Sequence, residues 1–465
     1  MPKITFIGAG STVFAKSILG DSMLTPSLHE SHIALYDIDA TRLKESQLML
    51  DTLNTNINQG RARITTHLGT ANRRAALKNA DYVVNAVQVG GYKPSTVIDF
   101  EIPKRYGLRQ TIADTLGVGG IFRSLRTIPV MQDVARDMHA VCPDAWFLNY
   151  VNPMCTITGA LLRSGIKTVG LCHSVQVCAR DLLLELGFSA KMPGLQWKIA
   201  GINHMAWLLE ITHNGRDLYP EIKRRAARQV AEIRRRGVAA IVREAKASGD
   251  ENWGNTPMVR TTHDMVRLEL MRHFGHYITE SSEHNAEYMP YWIKRTAPGL
   301  IKEFNIPLDE YPRRCVNQIA RWKKQRKEMV GNPKLTHVRS REYGSLIMDA
   351  METDTPARIA GNVLNTGLIT NLPAKSVVEV SCLVDRNGVQ GTYVGDLPEQ
   401  CAALNRTNIN VQLLTLEAAF TLKRDAVYQA ALLDPHTSSE LTIDQTISLC
   451  NDLIKAHGTY LPKFK

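Results

Sequence analysis

A chain of 465 residues with 44% hydrophobic and 22% charged side chains can bury a large core, which excludes disorder as its dominant state. The 56 Lys and Arg against 45 Asp and Glu leave a net charge of +11. No nucleic-acid module accompanies that charge and no apolar run approaches the ~18 residues of a membrane span, so neither nucleic acid nor membrane is an expected partner. Met1–Gly8 leads straight into a strand-like segment without a charged n-region or long apolar h-region, and a cytoplasmic location is expected. None of the eight cysteines, Cys142, Cys155, Cys172, Cys178, Cys315, Cys382, Cys401 and Cys450, stands in a C-x-x-C pair, so reduced thiols are expected.

Ile4–Ile7, Ile33–Tyr36, Tyr82–Val87 and Trp146–Asn149 read as strands. Between them Ser17–Leu24, Arg42–Asn58, Ala71–Asn79 and Leu125–Val141 have helix-forming composition. That alternation predicts an α/β fold whose first part is a parallel, doubly wound sheet with crossover helices. Val169–Leu171 extends the strand series and Ser174–Leu186 the helices. From Trp197 the pattern changes: Trp197–Ile202 and Trp207–Ile211 are strand-like, a polar and mostly helical stretch follows to about 330, and Val377–Val384 is a later strand. Ile409–Lys423 and Ile443–His457 are helical. The basic runs within 223–236 and 321–327 read as solvated helix faces, and Ser248–Pro257 as a mobile loop. The simplest partition is residues 1–195 as a nucleotide-binding domain and 196–465 as a mixed α/β domain.

Gly8-Ala9-Gly10 follows the first strand and opens a helix. The first glycine permits the tight turn, and the second lets backbone approach a pyrophosphate at the helix N-terminus. Val13 replaces the third glycine of the usual pattern. Asp37 ends the second strand, where a carboxylate accepts from ribose hydroxyls and repels a 2′-phosphate, favouring NAD over NADP; alternatively it caps the following helix. Asn149-Tyr150-Val151-Asn152-Pro153, Cys172-His173-Ser174-Val175 and Gly201-Ile202-Asn203-His204 place further polar groups at strand ends. A thiolate and an imidazole share divalent cations readily, so Cys172 and His204 are a candidate pair; singly each also reads as an ordinary core residue.

Taken in order, these four motifs resemble the family 4 glycoside hydrolases, and the Cys-His-Ser-Val form resembles the α-galactosidase (melibiase) branch of that family. The resemblance implies a Rossmann-like domain followed by a C-terminal domain of the lactate/malate dehydrogenase type. It implies NAD and Mn²⁺ as cofactors, small α-galactosides such as melibiose as substrates, and a homodimer or homotetramer. It also implies a redox route: oxidation at sugar C3, removal of the C2 proton, elimination of the aglycone, addition of water and re-reduction. By the same resemblance Gly8, Gly10, Ser11 and Asp37 bind NAD, Cys172 and His204 bind the metal, and Asn149 and Asn152 hold sugar hydroxyls. His173 is then the proton donor to the leaving group, and Glu269 the C2 base, with Asp264 or His263 as alternatives. Asp114-Thr115-Leu116-Gly117-Val118-Gly119-Gly120 resembles the Gly-rich loop near the nicotinamide. The competing readings are an α-galacturonidase or α-glucosidase of the same mechanism, a plain NAD-dependent dehydrogenase, and a nucleotide-sensing binding protein.

Overall fold

The computed structural model describes residues 1–465. Its first six strands are β1 (Lys3–Ile7), β2 (His32–Asp37), β3 (Arg63–Leu68), β4 (Tyr82–Asn85), β5 (Trp146–Asn149) and β6 (Thr168–Gly170). They lie in the order β3-β2-β1-β4-β5-β6 and every pair is parallel. This is the Rossmann order, and the reversal between β1 and β4 opens a crevice at the carboxyl ends of those two strands. All five residues of β1 are buried because helices cover both sheet faces. The sequence reading does not anticipate β3: Arg63-Ile64-Thr65-Thr66-His67-Leu68 is an edge strand, none of its residues is fully buried, and its apolar alternation is weak.

The remaining strands are β7 (Leu195–Ile202), β8 (Met205–His213), β9 (Arg216–Asp217), β10 (Tyr277–Ile278), β11 (Ala357–Leu364), β12 (Val377–Asp385) and β13 (Gly388–Gly391). β6 pairs antiparallel with β11, and the sheet continues as β11-β12-β7-β8-β10. One sheet of 13 strands thus runs through the molecule, so both halves share a single hydrogen-bonded frame.

Helices complete the two cores. On one side Thr12–Met23 and Ala40–Asn58 lie over the parallel strands. On the other, Phe122, Leu125 and Ile128 of helix Gly117–Val141 pack with Val427, Leu449 and Leu453 from helices Arg424–Leu433 and Ile443–His457. The end of the chain therefore closes the face of its beginning. A buried polar knot fastens it there: Arg126 donates to both carboxylate oxygens of Asp99 at 3.1 and 2.6 Å, and His457 Nε2 lies 2.9 Å from the same carboxylate. A charge pair taken this far from water holds only while all its partners remain.

Helix Tyr219–Arg236 carries the first basic run. Ile222, Ala226, Val230 and Ile233 line its buried face, at spacings of three and four residues, and leave most of its arginines toward water. Ser248–Pro257 forms turns around a short 3₁₀ segment, Trp253–Asn255.

Candidate active site

The crevice between β1 and β4 is shaped by two glycines. Gly8 has φ +84°, and a Cβ there would stand 2.8 Å from the Ala86 carbonyl, so only glycine lets the turn approach the neighbouring strand end. A Cβ on Gly10 would meet Asp37 Oδ2 at 2.8 Å, the atom to which Gly10 N–H donates at 2.6 Å. Asp37 thus reaches the turn itself, and the cap of helix Ala40–Asn58 is Asp39, which accepts from Arg42 N–H at 3.0 Å. No side chain caps helix Thr12–Met23 beside Ser11, so its first-turn N–H groups face the crevice and suit a pyrophosphate. Val13 is 49% exposed and needs no glycine to fit.

Three distant segments meet at a second point. Cys172 follows β6, His204 sits in the tight turn joining β7 to β8, and Glu280 follows β10. One ligand atom from each lies within 4.8 Å of the others. This happens although β11 and β12 separate β6 from β7 in the sheet, because the loops converge above it. His204 and Glu280 reach the point by adopting left-handed backbone, φ +62° and +67°, which L side chains adopt at a cost. His204 Nδ1 is 3.2 Å from the Tyr288 hydroxyl, which fixes the ring, and its Nε2 is 3.5 Å from Glu280. Burial would lower the His204 pKa, but the charges of Glu280 and Cys172 overcome it and push the ring up to about 10. Neighbours that make an imidazole keep its proton this strongly form a pocket that calls for positive charge. A thiol, an imidazole and a carboxylate together fit a borderline divalent ion.

His173, next to Cys172, is half-exposed and its Nε2 contacts Glu342 Oε1. The hydrogen bond to Glu342, opposed by burial, raises its pKa above the usual imidazole value. Asp114 is buried at the head of the Gly-rich loop; burial pushes its carboxyl up, but Arg123, His284 and His204 hold it net below the ordinary range. The Asn152 amide reaches Asp114 Oδ2 at 3.4 Å, which places Asn152 on this wall. Glu287 supports the same loop from below, accepting from the N–H groups of Thr111 and Ala113 at 2.8 and 2.7 Å.

Two expected residues lie elsewhere. Glu269 sits on the face of helix Met265–Phe274 that meets helix Tyr219–Arg236, where its carboxylate pairs with Arg234, Arg272 and His273. It has no contact with Cys172, His204 or Glu280, so the expectation of a base there is corrected. Asp264 is buried and spent on Arg267, Tyr277 and Ser282, while exposed His263 touches Asn305. Asn149 is fully buried, and both ends of its amide serve the protein: it accepts from Asn85 and Val151 and donates toward Thr158 and the Val151 carbonyl. It shapes the loop and has no group left for a sugar. Conversely, Glu280 and Asp114 enter the site without having been singled out for a role. Nothing in the residue spacing of Tyr277–His284 marks Glu280 as a ligand.

The family 4 glycosyl hydrolase model matches residues 3–187, and the family 4 glycosyl hydrolase C-terminal domain model matches residues 199–437. The chain is 60% identical over 466 residues to an α-galactosidase of Bacillus subtilis, covering 100% of both chains. It is 27% identical to an α-galacturonidase of Lachnoclostridium phytofermentans, over 99% of this chain and 97% of that one. Among solved structures, a 6-phospho-α-glucosidase from gut microorganisms, in complex with NAD and Mn²⁺, superposes with a TM-score of 0.76 at 20% identity, covering 100% of each chain.

Proposed function

The chain belongs to glycosyl hydrolase family 4, and from that premise we propose that it is an α-galactosidase that hydrolyses small α-galactosides such as melibiose with NAD⁺ and Mn²⁺. The observation that carries this reading is the meeting of Cys172, His204 and Glu280 in one pocket, in a chain 60% identical to an α-galactosidase. When bound, NAD⁺ supplies reversible hydride transfer at C3, and the cation supplies Lewis-acid stabilisation of the adjacent sugar oxygens.

The protein's own groups do the rest. Gly8, Gly10 and the N–H groups following Ser11 receive the pyrophosphate, and Asp37 takes the ribose hydroxyls at the end of β2. Cys172, His204 and Glu280 hold the cation. Asp114 is held ionised beside them and is the acceptor for the C2 proton in place of Glu269. Asn152 steadies a sugar hydroxyl from the same wall. His173 gives its proton to the glycosidic oxygen, a transfer for which an imidazole is suited near neutral pH.

A neutral sugar is favoured over a uronate. The guanidiniums whose charges reach the site are already matched: Arg123 by Asp114, with donors on the Asn152 carbonyl and the Tyr311 hydroxyl, and Arg267 by Asp264. No spare cation remains among them for a substrate carboxylate. The eight cysteines are all unpaired, which suits a reducing cytoplasm, and a dimer or tetramer is the expected assembly. No helix is long and apolar enough to cross a membrane.

The deciding experiment is release of galactose from p-nitrophenyl α-galactoside with NAD⁺ and Mn²⁺ omitted in turn. Activity that needs both, without net NADH accumulation, is the expected result. Steady NADH accumulation would point to a dehydrogenase, and preference for a galacturonide would move the substrate.

A further inference from the structure

Residues 335–343 form a strap that ends beside the catalytic edge. It is latched to helix Thr12–Met23 through Asp21, which is fully buried. Asp21 Oδ1 accepts from Ser340 N–H at 2.8 Å and lies 2.7 Å from His337 Nε2, while Oδ2 accepts from the Ser340 hydroxyl at 2.5 Å. The His337 ring packs so closely on Gly20 that a Cβ there would lie 2.7 Å from it. Ser340 Oγ in turn accepts from Glu342 N–H at 3.0 Å. One residue on, the Tyr343 hydroxyl is 2.9 Å from the Cys172 carbonyl and 3.0 Å from that of Ala360. The strap is therefore fixed on both sides of Glu342.

The Glu342 side chain is 11% exposed, and its one ionic partner is His173, which is 51% exposed. Glu342 Oε1 takes the His173 Nε2 side, and Oε2 is buried without a partner. His173 Nδ1 makes no hydrogen bond within the protein, so it is the nitrogen left to face a ligand. A half-exposed imidazole samples several rotamers; a carboxylate on a latched strap removes that freedom and fixes which nitrogen points outward.

We infer that Glu342 is the positioning residue for His173, holding its Nε2–H so that Nδ1–H is aimed at the glycosidic oxygen of the departing group. This rests on the galactosidase reading above. In the step it serves, the C1–O bond breaks and its electron pair stays on the oxygen. The proton passes from His173 Nδ1 to that oxygen, and the electrons left at C2 form the C1=C2 bond. The ring enters the step as the imidazolium and leaves it neutral, keeping Nε2–H on Glu342, so charge and atoms balance.

The test compares two leaving groups. Melibiose expels a sugar alkoxide that needs a proton, whereas p-nitrophenyl α-galactoside expels a phenolate that does not. In Glu342→Ala and in the isosteric Glu342→Gln, kcat for melibiose should fall ~100-fold, within the range ascribed to general acid catalysis, and kcat for the nitrophenyl substrate by less than ~5-fold. His173→Ala should show the same split, and the deuterium effect at C2 on melibiose should shrink in all three as departure becomes limiting. NAD⁺ affinity and thermal midpoint of Glu342→Gln establish that the protein is folded. Equal losses on both substrates, or a rise in KM with kcat unchanged, would make Glu342 a fastener of the strap and overturn the inference. A wild-type enzyme that releases no galactose would instead bring down the functional reading itself.

Discussion

The nucleotide crevice and the metal pocket are built on opposite plans. Gly8, Gly10 and Asp37 lie within 30 residues of one another, and the positive φ at Gly8 falls on a glycine, where it costs least. The metal pocket draws Cys172, His204 and Glu280 from segments spanning more than 100 residues, and two of those three hold left-handed backbone with full side chains. A site made of backbone uses residues that tolerate any conformation. A site made of ligand atoms must keep the side chain and accept the strain, at about 1 kcal/mol or more per residue.

The sharpest way to break this contrast is Cys172→Ala. It should lower kcat/KM by ~10³-fold or more while leaving NAD⁺ affinity intact by calorimetry, since it removes only one pole of the molecule. Gly10→Ala should do the reverse: its Cβ would crowd Asp37, and a strain of about 1–3 kcal/mol translates to ~5–150-fold weaker NAD⁺ binding, with Mn²⁺ affinity unchanged. Third comes pH. The His204 ring of the metal-free protein, with its pKa raised to about 10, holds a proton throughout the neutral range, and a cation must displace it. Mn²⁺ affinity should therefore climb by up to ~tenfold per pH unit toward 10 and fall as pH drops; titrations at pH 6.5 and 8.5 that agree would contradict this. The smallest effect isolates the backbone. Glu280→Asn and Glu280→Gln both remove the carboxylate, but Asn tolerates φ +67° better, so it should be the more stable by about 0.5–1 kcal/mol in urea unfolding.

The same contrast decides what the sequence makes legible. The Rossmann half declares itself because strand, glycine turn and helix follow one another in the chain, and Asp37 closes the next strand. Cys172 and His204 are visible only as members of motifs, since no local rule states that β11 and β12 will intervene between their strands while their loops converge. Glu269 misleads for a related reason: its place on a helix is readable, but which neighbour that helix face will meet is not, and here it meets Arg234. Asn149 misleads because a buried amide and a ligand-binding amide look alike until their partners are counted. Glu280 is silent, because a left-handed turn at a glutamate leaves no mark in composition or period.

The knot of Asp99, Arg126 and His457 also sets an order of events during synthesis. The opening strands emerge from the ribosome hundreds of residues before the helix that carries His457, so until then Asp99 lacks one of its buried partners and the face of helix Gly117–Val141 lacks its cover. The nascent nucleotide half keeps that apolar face uncovered until then, and it gains its final packing only when the last long helix docks.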